Sequence, residues 1–519
     1  MGSGRLRTRV PAGPWRPDRP RTTNPKGLTL AKNAVPIAGG YASQPSLEAV
    51  SGYTALAERA RGSIAVLDTA GNPINFVGTE TKLYRLGSNG TEDVTRASGA
   101  YNCADDARWE FQLFGTTLVA ANPSDHTQYI DILTGTQFAD LRGDAAGAPD
   151  GSQGEAPRFR HLGIVGNFLV GGNAYDPSFE LVPNSVWWAA NRNPFNWPAP
   201  GSDDAVAAQS DRQPLEGNGG WVQRIIGGAE VGMVFQERSI WRMDERGGDI
   251  VFEFTRVEPN RGLLAPGLAV AVGRLVFYCA EDGWYVTDYT TSQPIGKERW
   301  DRFFLADLDE EYLDRCSMAF DPDAQRWYAL YPGAGNVGGT PNRYLCYDWS
   351  LQRATHGEID AELLTQVLNP VATLDTGSDP DDLDAPGEPS LDYRLSKPGA
   401  AVLGAWGTDD ALAAFTGAAL EATFRTDYLD LDPGHWTYFS SVRPLTTGCI
   451  PYVRSASLER LVKQDDVEFG LEERVDEEGG DALLRSNGRY HQIEVRIPAG
   501  GFNDFVGLDI EDAVRAGTR

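Results

Sequence analysis

The chain has 519 residues, 41% of them apolar and 23% charged, which excludes a disordered or collagen-like polymer and leaves ample apolar side chain for a core. Acidic residues outnumber basic ones 73 to 46 and the net charge is −27. A conventional nucleic-acid-coating protein needs the opposite sign, because affinity for phosphate rests on Lys and Arg, although a surface past which nucleic acid slides is not excluded.

The first 32 residues depart from this balance. Arg5, Arg7, Arg9, Arg16, Arg19, Arg21, Lys26 and Lys32 stand against Asp18 alone, a local charge of +7, so the other 487 residues carry −34. Pro11, Pro14, Pro17, Pro20 and Pro25 oppose a continuous helix or a central strand here. Residues 1–40 therefore read as an extended basic arm that orders against a partner, or else as a disordered tail.

Beyond the arm, short β-favouring runs alternate with Gly, Asn and Asp turns and close on aromatic residues. Ser63 to Leu67 and Ile74 to Val77 form the first unit, followed by units opening near Phe111, His161, Val222, Leu268 and Cys316. Taken from Gly62, the spacings are 49, 50, 61, 46 and 48 residues. Repeats of that length, built of three or four strands, match the blades of a β-propeller, and radial stacking hides faces that a lone small sheet leaves wet. A stack of β-sandwiches is the competing arrangement.

Residues 351–410 break the rhythm and read as an acidic insertion. Within it, residues 375–384 (Asp-Thr-Gly-Ser-Asp-Pro-Asp-Asp-Leu-Asp) lack the order of a calcium loop and read as a solvated acidic turn. Ala411 to Leu420 is suited to finish the propeller, giving a platform over 41–420. From 421 to 519 a second β pattern follows, with runs at Ala422 to Thr426, Tyr438 to Val442, Ile450 to Val453, Val467 to Leu471 and Tyr490 to Ile497. Strict alternation in Gln492 to Ile497 marks a half-buried antiparallel strand, and the segment reads as a C-terminal β-sandwich. The fold class expected is all-β.

The search for chemistry is negative. No phosphate-binding loop, zinc-protease helix or nucleophile elbow is present, and the Gly-rich pieces at 217–220 and 227–228 read as turns. Five scattered cysteines, Cys103, Cys279, Cys316, Cys346 and Cys449, read as reduced thilos of a protein assembled in cytosol. No apolar stretch is long enough for a membrane helix, and no secretory signal is evident. His126, His161, His356, His435 and His491 are isolated in sequence. The acidic cluster Asp301, Asp307, Asp309, Glu310, Glu311 and Asp314 is catalytic only if one acid is desolvated with another close in space, as glycoside hydrolysis requires. The expectation is no catalytic, cofactor-binding or metal-binding residue, and no enzyme.

Several blocks, taken in order, resemble the tail nozzle or tail-hub proteins that bacteriophages place below the portal and adaptor rings. They are Asn24-Pro25 with Gly27, Ala31, Asn33, Pro36 and Gly39-Gly40-Tyr41; Gly78 to Tyr84; Gly232 to Met243; Pro294 to Phe304 with Tyr312 to Arg315 and Asp321-Pro322; and Ser486 to His491. The resemblance implies a structural virion protein, assembled in the host cytoplasm and arranged as a homo-oligomeric ring, commonly a hexamer, around the DNA exit channel. It implies an adaptor protein above, and tail-fibre or tail-tip proteins at the side or below. DNA would pass without specific binding along an acidic lumen. A propeller glycosidase and a carbohydrate-binding receptor module are the alternatives.

Overall fold

The structure is a computed structural model that describes residues 6–19, 27–176, 178–248, 250–321, 323–368, 401–461 and 467–517. The acidic stretch 375–384, with the calcium question attached to it, lies outside the described residues.

Six four-stranded antiparallel sheets stand as separate blades. Their inner strands are Gly62–Leu67, Glu110–Phe114, Arg158–Val165, Val222–Ile226, Ala269–Val272 and Ala361–Leu368. A further four-strand meander, from Ser317–Asp321 to Arg353–Glu358, sits between the Ala269 and Ala361 blades and is continuous with a larger sheet. The inner strands contact one another in sequence order, with Ser317–Asp321 bridging Ala269–Val272 and Ala361–Leu368, and the Ala361 blade returns to the Gly62 blade, so the ring is closed. The β-propeller is the arrangement found. Five of these inner strands, and the meander strand Ser317–Asp321, begin within three residues of the six unit starts read from the sequence, whereas Ala361–Leu368 has no counterpart among them.

Closure uses both ends of the ring. The outermost strand of the Ala361 blade is Glu48–Ala49, contributed from before the first blade and paired with Leu412–Ala414. Ser63 Oγ donates to Thr365 Oγ1 at 2.8 Å across the seam. The segment 351–410 is accordingly not one insertion: its described parts Arg353–Glu358, Ala361–Leu368 and Ala401–Gly407 are blade strands. Their apolar residues faced blade neighbours, and the crowded acids between them had masked the pattern.

A sandwich packs beside the ring. One sheet has six strands, Ala34–Ile37, Gly40–Ser43, Asp504–Gly517, Trp436–Thr447 and Ala482–Gly488 in order, with Leu6–Pro11 also on Asp504–Gly517. The other continues from the blade strand Arg353–Glu358 through Leu28–Lys32 to Ala422–Thr426, Tyr490–Ile497, Tyr452–Leu458 and Glu473–Arg474. The expected strand at Val467 to Leu471 is absent; these residues run as irregular chain beside Ser455, and Gly470 N–H donates to Ser455 O at 2.9 Å.

The arm reading is corrected by this sheet. Leu28–Lys32 is a central strand, parallel to the blade strand at Lys32 and His356 and antiparallel to Ala422–Thr426. The prolines do exclude a strand over residues 12–19, but Leu28–Lys32 lies beyond Pro25 and contains none. Trp15 is buried with Phe303 and His356, at ring distances of 5.1 and 4.9 Å. Tyr41, fully buried, donates its hydroxyl to Gly13 O at 2.8 Å and accepts from Trp15 N–H at 3.0 Å. The described arm orders against its own chain. Replacing Trp15 by Ala removes an aromatic side chain from this junction and is expected to cost about 3–5 kcal/mol, read from urea unfolding. An unchanged midpoint would show that the arm is peripheral to stability.

Candidate functional site

The charged residues converge at the propeller axis. Glu110 opens its inner strand and is buried there, with Arg224 Nη1 at 3.3 Å and His161 Nδ1 at 3.7 Å. Arg224 also donates to Pro266 O at 3.1 Å, and Arg108 donates to Cys316 O from the far side of the ring. Side chains from three blades thus reach the connections into two others. Burial alone raises the Glu110 pKa, but Arg224, His161 and Arg108 outweigh it and hold the carboxyl at about 2. His161 is pushed down by burial despite that partner.

A second layer adjoins it. Arg59, Arg61 and Arg315 lie 3.6, 2.8 and 4.0 Å from the exposed Asp105 carboxylate. Burial, then repulsion from Arg315 and Arg61, brings Arg59 down to about 10. Asp314 is raised by burial beside Arg315 and Arg59. Acids and guanidinium groups are interleaved here, so the arrangement ties together the connections into neighbouring blades.

The other acids of the 301–314 cluster are separated. Asp301 is buried, accepts from Trp284 N–H at 3.1 Å, and is raised to about 7 by burial, with Asp18 and Asp282 adding to the rise. This is the desolvated acid that a glycosidase reading needs. Its carboxylate is walled in, because a Cβ on Gly283 or Gly296 would stand 2.2 or 1.8 Å from its oxygens. No room is left there for a sugar ring. Asp307 accepts from the Tyr331 hydroxyl at 3.1 Å, and Asp309 caps the turn at Glu311 N–H and accepts from Asn336. Glu310 and Glu311 lie in the same short 3-10 turn, Glu310–Arg315, and are exposed.

The helix Asp301–Asp307 has no side-chain cap of its own at Trp300. Asp18 supplies it from the arm, accepting from Arg302 N–H at 2.8 Å and Phe303 N–H at 3.0 Å. The stretch that carries the phage-tail resemblance most specifically is therefore the seat of the arm. Ser486 and His491 of another such block lie in the sandwich core, where Ser486 Oγ and Thr437 Oγ1 each lie 2.8 Å from a His491 ring nitrogen. Burial takes His491 to about 4 and His356 to about 3, each below the usual imidazole value. His126 pairs with Glu155 at 2.6 Å and His435 with Asp432 at 3.6 Å, both near the surface.

All five cysteines are free; four are buried and Cys449 is half-buried. No group of three or more metal-ligating side chains occurs among the described residues, and no described helix is long and apolar enough to cross a membrane. A cleft of about 580 Å³ is lined in part by Tyr175, Phe179, Trp187 and Trp197. Trp187 and Trp197 are each only 5% exposed, and Arg158 and Arg212 cover the Tyr175 and Phe179 rings at 4.0 and 4.1 Å. The exposed tryptophan, Trp221 at 48%, stands elsewhere.

The axial residues Arg108, Glu110 and Arg224 were not singled out from sequence. Their signal is positional: Arg108, Glu110 and Arg224 lie within two residues of the start of an inner strand, as Arg61 does, a recurrence visible once the units are aligned.

No protein-family model matches the chain, and no curated protein matches it. Among solved structures, the computationally designed Ika8 protein is 10% identical with a TM-score of 0.33, covering 71% of this chain and 98% of that one. The extracellular domain of a putative hybrid two-component system from B. thetaiotaomicron is 9% identical with a TM-score of 0.37, over 77% of this chain and 44% of that one. A quinonprotein alcohol dehydrogenase-like protein from Bacteroides thetaiotaomicron is 9% identical with a TM-score of 0.33, over 61% and 76%. At these scores the likenesses carry no functional argument.

Two titrations test the site. The depressed Glu110 pKa contributes stability above the ordinary glutamate value of 4.5, and that contribution is lost as pH falls toward about 2. Glu110→Ala leaves buried guanidinium groups unpaired and is expected to cost about 3–5 kcal/mol at pH 7. A loss below 1 kcal/mol would contradict the clamp. Asp301 has the opposite sign: raised to about 7, it binds its proton in the folded state, so stability falls as pH rises from about 4 to 7. Asp301→Asn is expected to flatten that part of the stability profile, and an unaltered slope would place the carboxylate in water.

Proposed function

We propose that the chain is a structural subunit of a bacteriophage tail, present in several copies as a nozzle or hub ring below the portal and adaptor, through which the genome is retained and ejected. The observation that carries this reading beyond the resemblance is the shared nine-stranded sheet, in which propeller, arm and sandwich become one stiff block. Such a block suits a load-bearing ring. The reading assigns it no catalytic, cofactor or metal residue.

The acidic body adds support. The reading routes no DNA along the propeller axis, where Arg108, Glu110, His161 and Arg224 meet. The lumen in this proposal lies between subunits, where a carboxylate-rich wall holds phosphates off and lowers friction. Adaptor and fibre contacts fall to outward surfaces, because the described part of the arm is engaged at home.

A glycan-binding receptor module is the second reading, and the aromatic cleft near Trp187 and Trp197 is the feature in its favour. Against it, the rings there are buried or covered by arginine.

Antibody raised against the purified chain tests the proposal on particles from a host that carries the gene. Electron microscopy is expected to place label at the tail vertex, next to the head. Particles free of label, with the chain left in the soluble fraction, would contradict it.

A further inference from the structure

The geometry points to a binding site for a linear organic polyamine in the cleft beside the Ala361 blade, with unpaired aspartates at its mouth and the Tyr344 hydroxyl on its floor. The site is separate from the axial residues and stands independently of the tail reading.

The cleft has a volume of about 890 Å³ and draws its walls from segments far apart in the chain. Asn33 comes from before the first blade, Tyr344 and Glu358 from the meander, and Asp360, Asp409 and Phe415 from in and around the last blade. Closing the ring is what assembles it.

Negative charge at the mouth has no answer within the chain. Ala361 pairs with Gly407, so Asp360 and Asp409 leave the same end of that strand pair. Both are exposed, and neither has an ion-pair partner among the described residues. Burial and then the Asp409 charge raise the neighbouring Asp410. Arg343, the one cation lining the cleft among the described residues, is taken by Glu358 and lies 3.8 Å from Asp307, while Lys32 meets Glu358 at 2.7 Å.

The floor holds an unsatisfied hydroxyl. Tyr344 lines the cleft, is 1% exposed, and its Oη has no hydrogen-bond partner among the described residues. It ends beside Asn33, because a Cβ on Gly357 would collide with both Tyr344 Oη and Asn33 Oδ1. Asn33 Oδ1 accepts from Glu358 N–H at 3.0 Å and keeps a second lone pair. A buried hydroxyl left unpaired costs stability, and a ligand group that reaches it offsets that cost.

The free atoms select the ligand. Carboxylates at the mouth, and hydroxyl and amide oxygens on the floor, are complemented by N–H donors, and the uncompensated charge favours donors that are cationic. Phe415, Leu47 and Ile359, half-buried in the same cleft, suit the methylenes that separate one amine from the next. A hard metal ion asks for about six oxygens, whereas no group of three metal-ligating side chains occurs among the described residues.

Calorimetric titration of spermidine into the purified full chain at low salt tests the site, with octanediol as an uncharged chain and magnesium chloride as a metal. Spermidine is expected to show one saturable phase above the weak background of an acidic surface, and the other two none. Asp360→Asn with Asp409→Asn is expected to abolish that phase. Tyr344→Phe removes a hydroxyl that holds nothing in the free protein, so it is expected to leave the melting temperature no lower and to weaken spermidine about tenfold. A tyrosine that only packs would leave the affinity unaltered. The site is overturned by a wild type without a saturable phase, by a phase that survives the two asparagines or Tyr344→Phe at full affinity, or by saturable binding of octanediol or magnesium.

Discussion

Leu28–Lys32 is the constraint on which the molecule depends. Its Lys32 pairs with His356 of a propeller strand on one side, and Leu28, Leu30, Ala31 and Lys32 pair with a sandwich strand on the other, so the two bodies share one sheet. Central strands are buried on both edges, and their hydrogen bonds have no water to fall back on. Around this strand the arm is secured by unlike interactions: the Trp15 ring beside His356 and Phe303, the Tyr41 hydroxyl between Gly13 and Trp15, and the Asp18 cap on the 301–307 helix. Part of the arm's positive charge is met at home by Asp509 and Glu358.

The charge distribution acquires a shape from this. The described part of the basic N-terminal segment is joined to the acidic body as part of its fold. Positive charge also gathers at the propeller axis, where it is balanced by Glu110, Asp105 and their neighbours and serves to hold blades together. An acidic exterior and a neutralised interior are compatible with DNA as cargo. They are poorly suited to gripping it.

Much of the fold was legible in the sequence. Units starting at Gly62 and Val222 begin where their strands begin, and the others fall within three residues, because turn-formers and aromatic ends recur at blade spacing. The last blade was missed because its strands flank the acid-rich segment and its outer strand, Glu48–Ala49, comes from far back in the chain. Long-range pairing of that kind leaves no local mark. The same holds for Leu28–Lys32, whose Leu-Thr-Leu-Ala-Lys pattern is too short to distinguish a central strand from a linker. Of the acidic cluster, sequence located Asp301 and could not show that two glycine backbones enclose it. The axial clamp was invisible residue by residue, since Arg224 and Glu110 are 114 positions apart.

Native-state hydrogen exchange tests the shared strand most directly, because amides of one cooperative unit open together. If Leu28–Lys32 ties the two bodies, its amides exchange as slowly as those of Arg353–Glu358 and Ala422–Thr426, and all three segments respond alike to denaturant. Fast exchange at Leu28–Lys32, with both flanking strands still protected, would contradict the account.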